Sequence, residues 1–261
     1  MSEATTSTDL YRRITVTVAQ VVCVVGSMIG AGVFGGPTVP EAAGGALAAD
    51  ATYIAPAGPA FAIWSVIYVG LAAYTIWQWF PAQATSARHR ATGWLAAATM
   101  VLNAAWLLTI RAGWLWVSVV VIVALVLSLG VLLGRLTTHP ADSTADRVIT
   151  DGTFGLYLGW VSVATCANIA ATLVDAGVEP GKPAVEIITI VVLAVVAGLG
   201  VLYARALGGR IAVAGAMAWG LGWIAYGRWA TEPQSIAVAI AAAIVAVAVV
   251  AVALRRRAVT A

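Results

Sequence analysis

Eight apolar runs set the limits on what this chain can fold into: residues 14–36, 58–80, 91–110, 113–134, 152–174, 184–204, 211–228 and 235–254. A helix needs about 20 residues, at about 1.5 Å each, to cross the ~30 Å hydrocarbon core of a bilayer. Each run is near that length. Soluble domains carry about 25% charged residues; here 62% of the 261 residues are hydrophobic and only 10% are charged. The expected fold is therefore all-α, a polytopic transmembrane bundle of about eight helices. The division at Arg111-Ala112-Gly113 rests on one charge and one glycine.

The basic residues test the count. With the N-terminus inside, the inner segments hold Arg12, Arg13, Arg88, Arg90, Arg135, Arg147, Arg205, Arg210 and Arg255–Arg257, and the outer ones only Arg111, Lys182 and Arg228. Eleven against three follows the positive-inside rule. Both termini are expected in the cytoplasm, in a cell inner (plasma) membrane, with residues 1–13 a cytoplasmic segment and 255–261 a basic tail. A cleavable signal is disfavoured, because the first run is too long and Glu3 and Asp9 precede it. Within it Gly26 and Gly30 form a GxxxG pair suited to close helix packing.

Catalytic chemistry has little to work with. His89 and His139 fall in expected inner loops, and the acidic residues lie at or outside the span ends. No His or Lys accompanies the intramembrane Ser and Thr residues as a base. Cys23 and Cys166 lie in separate apolar runs, which leaves no CxxC site. The basic residues are scattered, not clustered on one domain, which argues against nucleic acid as a partner. We expect no catalytic residue, no metal, no cofactor and no ion-coupled pump. Prolines stand in or beside loops, so the paired broken helices of many transporters are not visible. The inner segment 137–150 reads as a solvated connector. The outer loop, 37–57, is long for a structureless connection and reads as a lid or a flexible link.

What the spans do contain is tryptophan, eleven in all. Those near span ends suit an interfacial belt. Trp64, Trp106 and Trp160 are different. Tyr157, Trp160, Ala164 and Asn168 share one helical stripe, Phe61, Trp64 and Tyr68 repeat its spacing, and Asn103 lies one turn from Trp106. A buried amide in hydrocarbon needs a hydrogen-bond partner, so these stripes face protein or ligand. Trp64 and Asn168 fall roughly 9 Å below the outer boundary and Asn103 roughly 10 Å. Such a set makes either an apolar pocket with a few orienting polar groups or a polar seam locking three helices.

These segments resemble the TspO/MBR proteins, also called translocator or tryptophan-rich sensory proteins. Pro56-Ala-Gly-Pro-Ala-Phe61-Ala-Ile-Trp64-Ser-Val-Ile-Tyr68 is similar to the family's proline-led motif ending in W-x-x-x-Y. Leu102-Asn103-Ala-Ala-Trp106 resembles its L-N-x-x-W, and Tyr157, Trp160, Ala164 and Asn168 have its fifth-helix spacing. Tyr53-Ile54-Ala55-Pro56 replaces the usual W-x-P-P, and Leu156 stands where a proline usually precedes the tyrosine. The resemblance covers residues 14–174 as a five-helix bundle, with 175–254 as three additional helices, as in a longer bacterial branch.

The resemblance implies a receptor or regulator binding a tetrapyrrole, sterol or similar flat apolar ligand through Pro56, Phe61, Trp64, Tyr68, Asn103, Trp106, Tyr157, Trp160, Ala164 and Asn168. The indoles would supply faces, the amides hydrogen bonds, and Ala164 room. The alternative is a transporter of porphyrin or another apolar metabolite. Light-dependent porphyrin breakdown is the one enzymatic reading the resemblance brings. A homodimer through Gly26 and Gly30 is open, as is the role of the Trp219, Trp223, Tyr226 stripe. Val201-Leu-Tyr203-Ala-Arg205 reads as an interfacial anchor before a sterol motif.

Overall fold

The chain enters its first helix earlier than hydropathy suggests. In the computed structural model, which describes residues 5–260, α1 spans Ser7–Gly30. Thr6 and Asp9 form a capping box: the Thr6 hydroxyl accepts from the Asp9 amide, and the Asp9 carboxylate accepts from the Thr6 amide at 3.1 Å. Seven more helices follow: α2 Ile63–Trp77, α3 Ala87–Arg111, α4 Leu115–Thr138, α5 Thr153–Asp175, α6 Lys182–Ala206, α7 Ile211–Ala230 and α8 Ile236–Thr260. Gly113, at φ +75°, makes the tight reversal between α3 and α4. The helix count expected from the sequence therefore holds, including that division.

Among the described residues, seven helices are long and apolar enough to cross a membrane. Helix α7 is not among them, although its 20 residues give it the length. Its tryptophans, glycines and Arg228 lower its hydropathy. It packs between α5 and α8, so protein covers much of a face that lipid would otherwise have to solvate.

Neighbours run α1–α3–α4–α5–α7–α8–α6, and α2 lies against α1 and α5. Small residues set the tightest contacts. A Cβ on Gly26 would stand 2.7 Å from Ala104 Cβ, and one on Gly30 2.6 Å from Leu107 Cβ. The Gly26/Gly30 face is thus spent on α3 within the chain. Gly159 lies closer still to α7: its Cβ would be 2.2 Å from the Val213 carbonyl.

Two readings of the inner end need correcting. His89 is not in a loop but buried in the first turn of α3. The segment 137–150 is solvated over most of its length, as expected, but it is not only a connector. Thr137 and Thr138 finish α4, a turn at Thr144–Asp146 follows, and a π-turn at Arg147–Gly152 leads into α5. Asp146 and Thr150 are buried there. Arg88 pairs with Asp146 at 2.9 Å and with Asp151, which Arg210 also contacts, and Trp77 donates to Asp146 at 3.2 Å. Mutual neutralisation lets these charges lie inside helix ends where single charges would stop a span.

Candidate functional site

Trp64 is the hub of an aromatic cluster that three helices and one turn assemble. Its ring stacks on Tyr68 at 5.4 Å, meets Tyr157 and Trp160 edge-on at 5.9 and 6.3 Å, and tilts against Trp106 at 6.1 Å. Phe61, on the 3-10 turn Gly58–Ala62 that precedes α2, packs edge-on to Trp160 at 5.7 Å. These are favoured geometries for aromatic pairs, each worth about 0.5–1.5 kcal/mol beyond area burial.

The cluster divides two cavities. The larger, about 450 Å³, lies between α1, α2, α3 and the start of the outer loop. Val24, Ser27 and Met28 of α1 form one wall with Ala31 just beyond its end, Phe61, Trp64, Tyr68 and Trp106 the other, and Thr38, Val39 and Pro40 the roof. No charged side chain lines it. The smaller, about 40 Å³, is lined by Pro56, Phe61, Trp106, Trp160, Ala164 and Asn168 among others. It is little more than a gap.

The stripes expected from sequence therefore converge but do not all face one space. Phe61, Trp64, Tyr68 and Trp106 reach the large cavity. Pro56, Trp160, Ala164 and Asn168 line only the small one, and neither cavity is lined by Asn103 or Tyr157. Both amides bond protein, although the buried Oδ1 of Asn103 has no partner. Asn168 accepts from Trp106 Nε1 at 2.9 Å and donates to Ser118 Oγ at 2.9 Å. Asn103 Nδ2 donates to Tyr68 Oη at 3.0 Å and Ser27 Oγ at 3.2 Å, while Tyr68 Oη donates to Ser27 Oγ at 2.9 Å. Asn103 thereby fixes two of the hydroxyl groups that line the cavity, the third being that of Thr38 in the roof. Tyr157 donates to the Thr99 carbonyl at 3.1 Å, which pins α5 to α3. The contribution of α1 was missed in the sequence; Ser27, an isolated hydroxyl in an aliphatic run, was its one signal.

The roof is ordered and anchored. Thr38 donates to Glu41 through its amide and its hydroxyl, at 2.9 Å each, and these bonds hold the Glu41 carboxyl below its usual range. Arg111 donates to the Ile29 and Gly35 carbonyls, each at 2.8 Å, and ties the loop's start to α3. Arg228, fully buried at the end of α7, donates to the Thr52 and Ala49 carbonyls at 2.8 Å. Trp219 Nε1 donates to the Ala60 carbonyl at 2.8 Å, and the Ala57 amide donates to Trp223. Two of the three residues Trp219, Trp223 and Tyr226 thus clamp the end of the loop and the turn after it, Trp219 by its indole and Trp223 by its backbone carbonyl. Tyr203, for its part, shares a hydrogen bond with Ser162 of α5 at 3.1 Å.

The family model described as "TSPO-like protein" matches residues 13–254. The chain belongs to this family. The match runs on through α6, α7 and α8, so the TSPO-like region takes in α7, which holds the end of the loop and the turn before α2. With its run of apolar helices, the TSPO-like chain is a multi-pass membrane protein. No curated protein and no solved structure matches it.

Proposed function

We propose that the protein is a non-enzymatic membrane receptor or regulator that takes a flat, uncharged apolar molecule into the cavity under the 37–57 loop. The observation that supports this best is the cavity's make-up: about 450 Å³, walled by four aromatic rings and free of charged side chains. Small-molecule sites fall between about 300 and 1,000 Å³ and are mostly apolar with a few polar groups. Here Ser27, Thr38 and Tyr68 supply those groups. An uncharged wall gains nothing from a carboxylate, whose unpaired burial is costly. A sterol-like or other neutral ring system fits this lining better than protoporphyrin IX, whose propionates would have to stay at the mouth. In this reading both termini lie in the cytoplasm of a cell inner membrane and the loop faces outward, as the eleven-to-three bias of basic residues favours.

The test is a tryptophan-fluorescence titration of the full chain in nanodiscs with a neutral sterol and with protoporphyrin IX, beside Ala31→Phe. Ala31 is half-buried on the cavity wall, and a phenyl ring there fills the space without touching the core. Saturable quenching by the sterol, weakened about tenfold in the variant (about 1.4 kcal/mol), is expected. Quenching that is linear, or the same in both proteins, means partition into lipid and ends the proposal. Tighter binding of porphyrin than of sterol would overturn the preference for a neutral ligand.

A further inference from the structure

The two cavities beside the aromatic cluster differ in how their polar groups are used. In the large one, Ser27 and Tyr68 bond each other and Asn103, and the Thr38 hydroxyl bonds Glu41. Four side chains with polar atoms line the small one. Two of them, Trp106 and Asn168, bond each other at 2.9 Å. The other two do not bond anything: Thr52 Oγ1 and Trp160 Nε1 have no partner, although both residues are more than nine-tenths buried. Buried polar atoms are bonded with few exceptions in folded proteins. Here two exceptions, one from the 37–57 loop and one from α5, border the same gap. Val39, Phe61 and Trp106 line both cavities, so a layer of side chains parts them. Val39 and Phe61 are its movable members, since both are only partly buried and sit on the loop and the 3-10 turn, outside the spanning helices.

We propose that the small cavity holds the oxygen of a ligand whose ring system occupies the large one, with Trp160 Nε1 donating to that oxygen and Thr52 Oγ1 as its second partner. This rests on the large cavity being a binding site and narrows what that site takes. An indole N–H only donates, whereas a hydroxyl donates or accepts. The guest atom must therefore accept, which admits a ketone or alcohol oxygen and excludes a protonated amine. A carboxylate also accepts, but no charged side chain lines either cavity, and an unpaired charge is costly to bury. The small cavity, about 40 Å³, compares with the ~30 Å³ that one water occupies in the liquid, which leaves room for an oxygen and its carbon but not for a ring. The ligand class is thus a neutral, flat apolar molecule with a ketone or hydroxyl at one end. Thr52 extends the effect, because its carbonyl accepts from Arg228 at 2.8 Å. A bound oxygen would join the end of the loop that α7 holds to α5.

The full chain in nanodiscs is titrated with cholesterol, cholestenone and cholestane, which carry a hydroxyl, a ketone and no oxygen. Thr52→Val removes the hydroxyl at nearly constant shape and keeps the carbonyl that Arg228 holds. Trp160→Phe removes the N–H, and the remaining tryptophans report binding. Thr52→Ser keeps a hydroxyl. We expect the parent chain to bind both oxygenated probes about tenfold tighter than cholestane, about 1.4 kcal/mol. The preference should shrink in Thr52→Val and in Trp160→Phe, vanish when the two are combined, and persist in Thr52→Ser. Because Thr52 Oγ1 has no partner in the free protein, Thr52→Val should not lower Tm, and its lost preference is then not misfolding. Cholestane affinity that holds in each variant reports an intact large cavity. Saturable binding without a preference for oxygen, or a preference that survives the combined variant, overturns this proposal and leaves the large cavity standing as a site. Absence of saturable binding of every probe by the parent chain overturns both.

Discussion

Trp106 and Trp160 are buried indoles bordering the same small cavity, and they differ in the fate of one atom. Trp106 Nε1 donates to Asn168, whereas Trp160 Nε1 has no partner. Replacing either by Phe removes similar ring volume. Only Trp106→Phe also strips a hydrogen bond from a buried amide. It should therefore cost about 1 kcal/mol more than Trp160→Phe, read as a larger fall in Tm in the same detergent or nanodisc. Equal losses would mean that the Asn168 bond contributes nothing net. The same logic makes Asn168→Ala costly by about 1–3 kcal/mol, since the Trp106 donor and Ser118 lose a partner together. That Asn168 must be bonded was legible from its position in an apolar run. Its partner Ser118 was not, because it sits among aliphatic residues of α4 whose inward face the sequence pattern leaves undefined.

Helix α5 serves two contacts with two faces. Tyr157 and Trp160 turn toward α2 and α3, while Gly155 and Gly159 let α7 approach. Gly159→Ala should lower stability by about 1–3 kcal/mol, because its methyl meets backbone at Val213 rather than a movable side-chain tip. Gly130→Ala, on α4 with nothing within 4 Å, is the control. It should be neutral or stabilising by up to about 1 kcal/mol through helix propensity. If both variants shift thermal unfolding alike, close packing of α5 on α7 is not what Gly159 provides. The aromatic face was legible because Trp and Asn are rare and costly at depth. The glycine face was hidden, since glycine at four-residue spacing is common wherever the composition is small and apolar. The inner network was hidden for another reason. Hydropathy ends a helix at its first charged residues, but Arg88 and Arg210 neutralise Asp146 and Asp151 and let α3 begin at Ala87.

At the scale of the whole molecule, the division into a five-helix bundle and three additional helices hides a dependence that the structure makes explicit. The loop whose start roofs the aromatic cavity hangs at its far end from α7, through Arg228 to the Ala49 and Thr52 carbonyls and Trp223 to the Ala57 amide, with Trp219 holding Ala60 in the turn that follows. A chain ending after α5 would lose those anchors and expose the Gly155/Gly159 face as well. Truncation alone therefore confounds a lost roof with lost packing. Arg228→Met separates them: it keeps the apolar stem and removes the guanidinium, leaving buried carbonyls without donors at a cost of about 2–3 kcal/mol. In the full chain this variant should retain its helical content while the 37–57 loop becomes susceptible to a broad-specificity protease and saturable ligand quenching weakens. A loop as resistant as in the parent protein would mean that Trp219 and the Ala57 amide hold the roof without Arg228. If the loop opens and the ligand is still retained, the roof is a cover and the aromatic wall alone carries the affinity. Only when both change together is α7 part of the binding device, and the match of the family across residues 13–254 then has a physical reason.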